Sequence, residues 1–135
     1  MKEPTRLYTA FSGIFLLLQG TSTLAFRLFS SLDEAFPALL AITQMIPPHS
    51  ILHILAGVVA LIVLVRGGQR GAFWFALFFG AFYFGLAIFG MVTGHRTLLG
   101  LQPFDHPFHL LIGVLGFLAV GAALYQSQKR KQVSL

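Results

Sequence analysis

Four long apolar segments dominate this sequence and leave few folds open to it. They cover residues 8–29, 49–65, 72–92 and 107–125, and each is close to the roughly 20 residues that a helix needs to cross the hydrocarbon core of a bilayer. Backbone N–H and C=O groups find no partner in hydrocarbon, so a spanning segment must be a helix or part of a closed barrel. None of the four alternates polar and apolar residues as a barrel strand does. The sequence therefore predicts an all-α membrane protein, a bundle of four transmembrane helices.

The composition agrees with a chain that lies in lipid. Of the 135 residues, 56% are hydrophobic and 10% are charged, whereas an average soluble domain is about a quarter charged. Four spans leave no room for a separate soluble domain, and we expect residues 1–135 to form a single integral membrane domain. The chain has no cysteine, which excludes disulfides and thiolate metal sites. Any metal must therefore bind nitrogen or oxygen.

The basic residues are distributed unevenly about the four segments. Seven lie in the termini and the central loop and two lie on the opposite side: Lys2, Arg6, Arg66, Arg70, Lys129, Arg130 and Lys131 against Arg27 and Arg96. Because cytoplasmic loops carry the excess of Lys and Arg, we expect both termini in the cytoplasm and the loops 30–48 and 93–106 outside the inner or plasma membrane. The net charge of +5 thus reports orientation in the lipid bilayer, and nucleic-acid binding is excluded.

The second and fourth segments begin alike. The stretch His49-Ser-Ile-Leu-His53-Ile-Leu-Ala-Gly-Val aligns without gaps on Asp105-His-Pro-Phe-His109-Leu-Leu-Ile-Gly-Val. Each histidine at the fifth position is followed four residues later by a glycine. We interpret the chain as a tandem repeat of a two-helix unit in an up-down-up-down bundle, with both repeats in the same orientation.

These aligned residues form one polar stripe on each helix. Residues four apart share a helix face, so the stripes comprise His49, His53 and Gly57 on the second segment and Asp105, His109 and Gly113 on the fourth. In an up-down-up-down bundle the second and fourth helices are parallel and diagonally opposed, so both stripes can face the bundle axis. The sequence therefore predicts a metal site just below the outer surface, for zinc or copper, with the ligands His49, His53, Asp105 and His109.

Two other interpretations remain open. His53 and His109 could be the axial ligands of one haem b in an electron carrier, with Gly57 and Gly113 leaving space for the macrocycle. Alternatively, all of these residues are structural: Asp105 caps a helix, the histidines bond neighbouring helices and the glycines allow close packing. The chain would then bind no cofactor and would act as an accessory or assembly subunit of a larger membrane complex, or as a homo-oligomer.

The remaining polar features favour a non-enzymatic protein. The sequence contains no nucleotide-binding loop, nucleophile elbow or His-Glu-x-x-His run.

A polar patch at residues 19–23 interrupts the first segment at mid-membrane depth. Polar side chains at that depth should face the bundle interior and bond a neighbouring helix.

The starts of the second and fourth segments resemble those of the bacterial membrane family called domain of unknown function 4383. The second helix of that family opens with His-Asn-x-x-His-Leu-x-x-Gly, and the fourth opens with Asp-Asn-x-x-His-Leu-x-x-Gly. The residues of the two polar stripes stand at the matching positions of this sequence. The stretch Leu98-Leu-Gly-Leu-Gln-Pro103 also resembles the Gly-Leu-x-Pro approach usual there. The resemblance covers nearly the whole chain and implies four helices, with no assigned activity. Ser50 and His106 replace the two asparagines, so a site that those asparagines complete in the family is altered here.

Overall fold

The computed structural model describes residues 3–35, 37, 45–94 and 99–133. This part of the chain forms four long helices and a short one: α1 (Pro4–Leu28), α2 (Ser30–Ala35), α3 (Pro47–Arg66), α4 (Gly68–Thr93) and α5 (Asp105–Val133). The four long helices are sufficiently long and apolar to cross a membrane. They run up-down-up-down, and the described residues contain no strand. The predicted fold class, an all-α four-helix membrane bundle, is confirmed.

The helices extend beyond the apolar segments from which they were predicted. α5 continues to Val133, because a helix can leave the hydrocarbon without losing its backbone hydrogen bonds. Between α3 and α4 a single residue, Gly67, makes the reversal: its N–H donates to Val63 O at 2.8 Å. The next residue, Gly68, has φ +57°, a left-handed conformation that glycine adopts without a Cβ clash.

Small residues line the contacts between the helices. α1 packs most extensively on α3, and α4 on α5. A Cβ atom added at Gly13 would lie 2.9 Å from the Ala60 Cβ, and one added at Gly80 would lie 3.2 Å from the Gly116 Cα. Such residues let helix backbones approach closely, which matters in lipid because no hydrophobic effect drives the helices together. The tandem duplication stays a prediction, since two helix pairs alone do not show a repeat.

Large apolar side chains cover the outside of the bundle. Phe11, Phe78 and Leu118 are 61%, 67% and 62% exposed. The buried positions, by contrast, include polar side chains such as Thr9, which donates to the Thr5 carbonyl at 2.8 Å. This distribution is the inverse of the one in soluble proteins and places the exterior in a lipid bilayer.

The polar patch at residues 19–23 reaches a neighbouring helix, as predicted. Thr23 and Ser50 are buried, and their hydroxyl oxygens lie 2.9 Å apart in a hydrogen bond between α1 and α3. Thr21 is exposed and bonds the carbonyl groups of its own helix. The interhelical prediction is therefore confirmed at Thr23.

The ends of the loops 30–48 and 93–106 meet just before α3 and α5 begin. Residues 36 and 38–44 of the predicted loop 30–48 lie outside the described part of the chain. Met45 is buried, and Ile46 packs beside Gly100, which has φ +62°. Leu101 is also buried. Met45 and Leu101 each come one helical turn before a polar stripe, so a buried apolar side chain precedes each stripe.

The packing at Gly57 gives a test of the α1–α3 contact. A methyl group there would come within 2.6 Å of Leu17 Cγ and 2.9 Å of the Gly13 carbonyl oxygen. We expect Gly57→Ala to destabilise the bundle by about 1–3 kcal/mol, measured as a lower midpoint of thermal unfolding in mild detergent. Gly85→Ala is the matched control, because a Cβ there meets nothing within 4 Å. Equal midpoints for the two variants would contradict the described contact.

Candidate functional site

Three histidine side chains converge between α3 and α5. His49, His53 and His109 are each 1% exposed. Their ring centroids lie 4.5 Å (His49–His53), 5.9 Å (His49–His109) and 6.4 Å (His53–His109) apart. One ligand nitrogen from each ring can be chosen so that the three nitrogens lie within 4.8 Å of one another. These residues are called the histidine cluster below.

The starts of two helices place the cluster. α3 begins at Pro47, with Ile46 as its N-cap residue, and a proline in the first turn removes an N–H that has no partner there in any case. His49 and His53 follow within two turns. α5 begins at Asp105, and His109 lies one turn further on. The helix period then turns all three rings toward the space between the helices.

Five of the six imidazole nitrogens of the cluster lack hydrogen-bond partners within the described residues. Both ring nitrogens of His53, both of His109 and the Nδ1 atom of His49 are buried and unpaired within the part of the chain that the structure describes. A neutral imidazole carries one donor and one acceptor. Leaving such a group buried and unpaired costs about 1–3 kcal/mol. The cluster therefore brings five unpaired imidazole nitrogens together at one place in a closely packed bundle.

Asp105 lies outside this group of ligand atoms. Its carboxylate oxygen Oδ2 accepts the backbone N–H of Gln102 at 2.7 Å, and its own N–H donates to the Gln102 carbonyl at 2.9 Å. A carboxylate that reaches back to an N–H three residues earlier is one half of a capping box. Pro103 lies in the turn between Gln102 and Asp105. Of the four predicted ligands, the structure brings together the three histidines, and Asp105 organises the start of α5.

Gly57 and Gly113 pack against neighbouring helices. A Cβ at Gly57 would meet Leu17 of α1, and a Cβ at Gly113 would lie 2.7 Å from both the backbone nitrogen and the Cβ of Phe84 in α4. The space beside both glycines is therefore filled by protein. The expectation that they leave room for a macrocycle does not fit this packing.

Tyr83 also lines the cluster, although the sequence analysis did not single it out. It is 2% exposed, and its ring centroid lies 4.9 Å from that of His109 and 6.3 Å from that of His53. A signal was present in the sequence, because the buried face of α4 is otherwise built of small residues at helical spacing: Ala72, Ala76, Gly80, Ala87 and Gly90. Tyr83 is the one large residue with a polar group on this face, which indicates a position where the side chain contacts a neighbouring helix.

The two remaining histidines are not part of the cluster. His106 packs at Gly90, where an added Cβ would meet its ring, and its Nδ1 atom is buried without a partner. It is not a member of the three-residue ligand group. His95 lies outside the described residues.

The capping role of Asp105 can be tested by substitution. We expect Asp105→Leu to lower the thermal midpoint, because the Gln102 N–H loses its acceptor at a cost of about 1–3 kcal/mol. Asp105→Asn retains an acceptor oxygen and should remain close to the wild type. If the two variants unfold at the same temperature in detergent, the hydrogen bond between Asp105 and Gln102 does not contribute as described.

Sequence comparison places the chain in a family. The family model described as "Domain of unknown function (DUF4383)" matches residues 6–125, a range that includes both polar stripes and all four long helices except their ends. No curated protein and no solved structure matches the chain. Because the match spans well over half of the sequence, this protein belongs to the DUF4383 family.

Proposed function

We propose that this protein binds one divalent transition-metal ion, zinc or copper, through His49, His53 and His109. The observation that supports the proposal is the set of five buried and unpaired imidazole nitrogens that converge from α3 and α5. Neutral imidazole is the commonest metal ligand in proteins. A bound ion would pair one nitrogen of each ring and so offset much of the cost of burying them.

The spacing of the rings suits a tetrahedral ion. Zinc binds histidine nitrogen at about 2.0–2.1 Å, so two nitrogen ligands of a tetrahedral site lie about 3.3 Å apart. The ligand nitrogens already lie within 4.8 Å of one another, and rotation of the side chains can close the difference without moving the helices. Imidazole ligands favour zinc and copper over magnesium and calcium.

Three protein ligands leave a fourth coordination position, which we assign to water or a small exogenous ligand. Asp105 is not a member of the group of ligand atoms, and its Oδ2 atom accepts the Gln102 N–H. Zinc sites with three protein ligands and an exchangeable fourth ligand are typical of sites that react or exchange, whereas structural sites use four protein ligands. We therefore infer an ion that can be loaded and removed.

A bis-histidine haem fits the same residues less well. The separation of His53 and His109 alone would suit two axial ligands, but the His49 ring lies 4.5 Å and 5.9 Å from these two rings. The Tyr83 ring lies 6.3 Å and 4.9 Å from them. His49 and Tyr83 therefore occupy space that a planar macrocycle between the axial ligands would need. The filled space at Gly57 and Gly113 favours a single ion for the same reason.

We further propose that the histidine cluster lies on the outer side of the membrane and that both termini lie in the cytoplasm. The support comes from the two ends of the helices. The histidines lie in the first turns of α3 and α5, whereas the last turns of these helices carry Arg66, Arg130 and Lys131. Basic residues accumulate on the cytoplasmic side, so the opposite end, with the cluster, faces outward.

Elemental analysis tests the metal directly. We expect close to one zinc or copper ion per chain after purification without chelators, and a loss of at least about tenfold in affinity for His53→Leu and His109→Leu. His106→Asn is the matched control, since it removes a neighbouring histidine outside the ligand group and should leave the metal content unchanged. A metal-free wild type that takes up no zinc or copper on titration would overturn the proposal. A Soret band in the absorption spectrum of the same sample would establish haem in its place.

The difference in stability between His53→Leu and the wild type should change sign when the metal is added. In chelator the variant should unfold at or above the wild-type midpoint, because leucine removes two unpaired nitrogens. With zinc at a hundredfold excess over its dissociation constant, the wild type should gain about 2.7 kcal/mol that the variant lacks. Thermal unfolding in detergent measures both conditions. A variant that is equally destabilised in chelator and in zinc would indicate a packing role without metal.

A further inference from the structure

We propose that a metal ion bound by the histidine cluster cross-links two halves of the bundle, so that removal of the ion lets the halves separate at that end. The first half is the helix pair α1 and α3, and the second half is the pair α4 and α5. This inference rests on the proposed metal site, and it adds what the bound ion does to the rest of the molecule.

Each half is closely packed within itself. α1 packs most extensively on α3, and α4 on α5, whereas the two pairs contact each other less. A Cβ added at Gly20 of α1 would lie 2.6 Å from the Ser50 carbonyl oxygen of α3, and one added at Gly113 of α5 would lie 2.7 Å from the Phe84 backbone nitrogen of α4. Close approach of backbones is what holds helices together in lipid, so each pair forms a unit.

The chain passes from the first half to the second once, at the end opposite the cluster. α3 ends at Arg66 and α4 begins at Gly68, so Gly67 alone connects the halves. The loops at the cluster end, residues 29–46 and 94–104, each join two helices of the same half. A short connection at the end of an element is a common position for a hinge. The covalent link therefore leaves the cluster end free to open.

Hydrogen bonds cross from one half to the other between the level of the cluster and the opposite end of the bundle. They run from the Tyr8 hydroxyl to the Ile112 carbonyl at 3.1 Å, from Gln69 Nε2 to Thr5 Oγ1 at 2.9 Å, and from the Arg130 guanidinium to the Glu3 carboxylate at 2.9 Å. Polar groups inside hydrocarbon find no replacement partner in lipid. These bonds therefore keep the halves together away from the cluster.

The histidine cluster lies on the boundary between the same two halves. His49 and His53 belong to the first half and His109 to the second, and the His109 ring centroid lies 5.9 Å and 6.4 Å from the other two. Five of the six nitrogens are unpaired within the described residues. An ion that takes a nitrogen ligand from each half would join the halves where these rings do not bond each other.

Apolar contacts also cross the boundary near the cluster. The Phe15 and Phe108 ring centroids lie 5.1 Å apart, and Ile46 packs beside Gly100. Lipid chains are as apolar as these side chains, so they can replace such contacts at little cost. The metal–nitrogen bonds would thus be the strongest link between the halves at this end.

Distances between two nitroxide labels, measured by double electron–electron resonance in mild detergent, test the cross-link. The chain has no cysteine, so Leu28→Cys and Val92→Cys place one label on each half at the cluster end. These side chains are 69% and 79% exposed. We expect a narrow distance distribution in zinc, and a broader one with a mean about 5 Å longer in chelator.

Two label pairs serve as matched controls. Leu28→Cys with Leu55→Cys lies within the first half, and Leu7→Cys with Leu124→Cys spans the two halves at the opposite end; all four side chains are exposed. Both pairs should give the same distribution in zinc and in chelator. Adding His109→Leu to the labelled pair at the cluster end should abolish its response to zinc, because the second half then lacks its ligand.

Zinc binding to the labelled samples, measured by calorimetry, separates the possible failures. Bound zinc with an unchanged distance between positions 28 and 92 would overturn the cross-link and leave the metal site intact. An equal response of the control pair within the first half would show a general loosening, and would also overturn the cross-link. A wild type that binds no zinc or copper would remove the metal site, and this inference with it.

Discussion

The absence of water in the hydrocarbon core is the constraint from which the rest of this structure follows. Backbone groups that cannot bond to water must bond within their own helix, and helices that gain nothing from hydrophobic association must be held together by close contact. Glycine and alanine supply that contact between α1 and α3 and between α4 and α5. The large apolar side chains are left to face lipid.

A close-packed interior makes the histidine cluster costly in the absence of a ligand. The hydroxyl groups of Thr23 and Ser50 form a hydrogen bond with each other, and the Asp105 carboxylate accepts the Gln102 N–H. The nitrogens of His53 and His109 have no hydrogen-bond partner within the described part of the chain. This difference between the paired and the unpaired polar groups, which lie within a few turns of one another, is the main physical argument for a bound ion.

The two ends of the bundle have opposite chemistry. At one end the three rings of the histidine cluster are buried, as are Met45 and Leu101, which precede α3 and α5. At the other end the last turns of α3 and α5 carry Arg66, Arg130 and Lys131. The charge asymmetry from which the orientation is predicted thus also separates the histidine cluster from the basic residues along the length of the bundle.

Much of the architecture could be predicted from the sequence, because hydrophobic length and helical period act locally. Four apolar segments imply four helices, the four-residue spacing puts His49 and His53 on one face, and the alignment with His109 places the third ring at the same depth. The polar patch at residues 19–23 predicts a hydrogen bond to a neighbouring helix, which Thr23 makes. None of these predictions needs knowledge of which helix lies beside which.

Only the tertiary structure decided the features that depend on neighbours distant in sequence. Asp105 turned toward Gln102 because the approach to α5 folds back on the helix start. The space beside Gly57 and Gly113 was filled because α1 and α4 lie against them, and Tyr83 joined the cluster from a helix whose aromatic residues otherwise appeared alike. A helical period shows which residues share a face, but the residues that occupy the facing gap are determined by packing between separate segments of the chain.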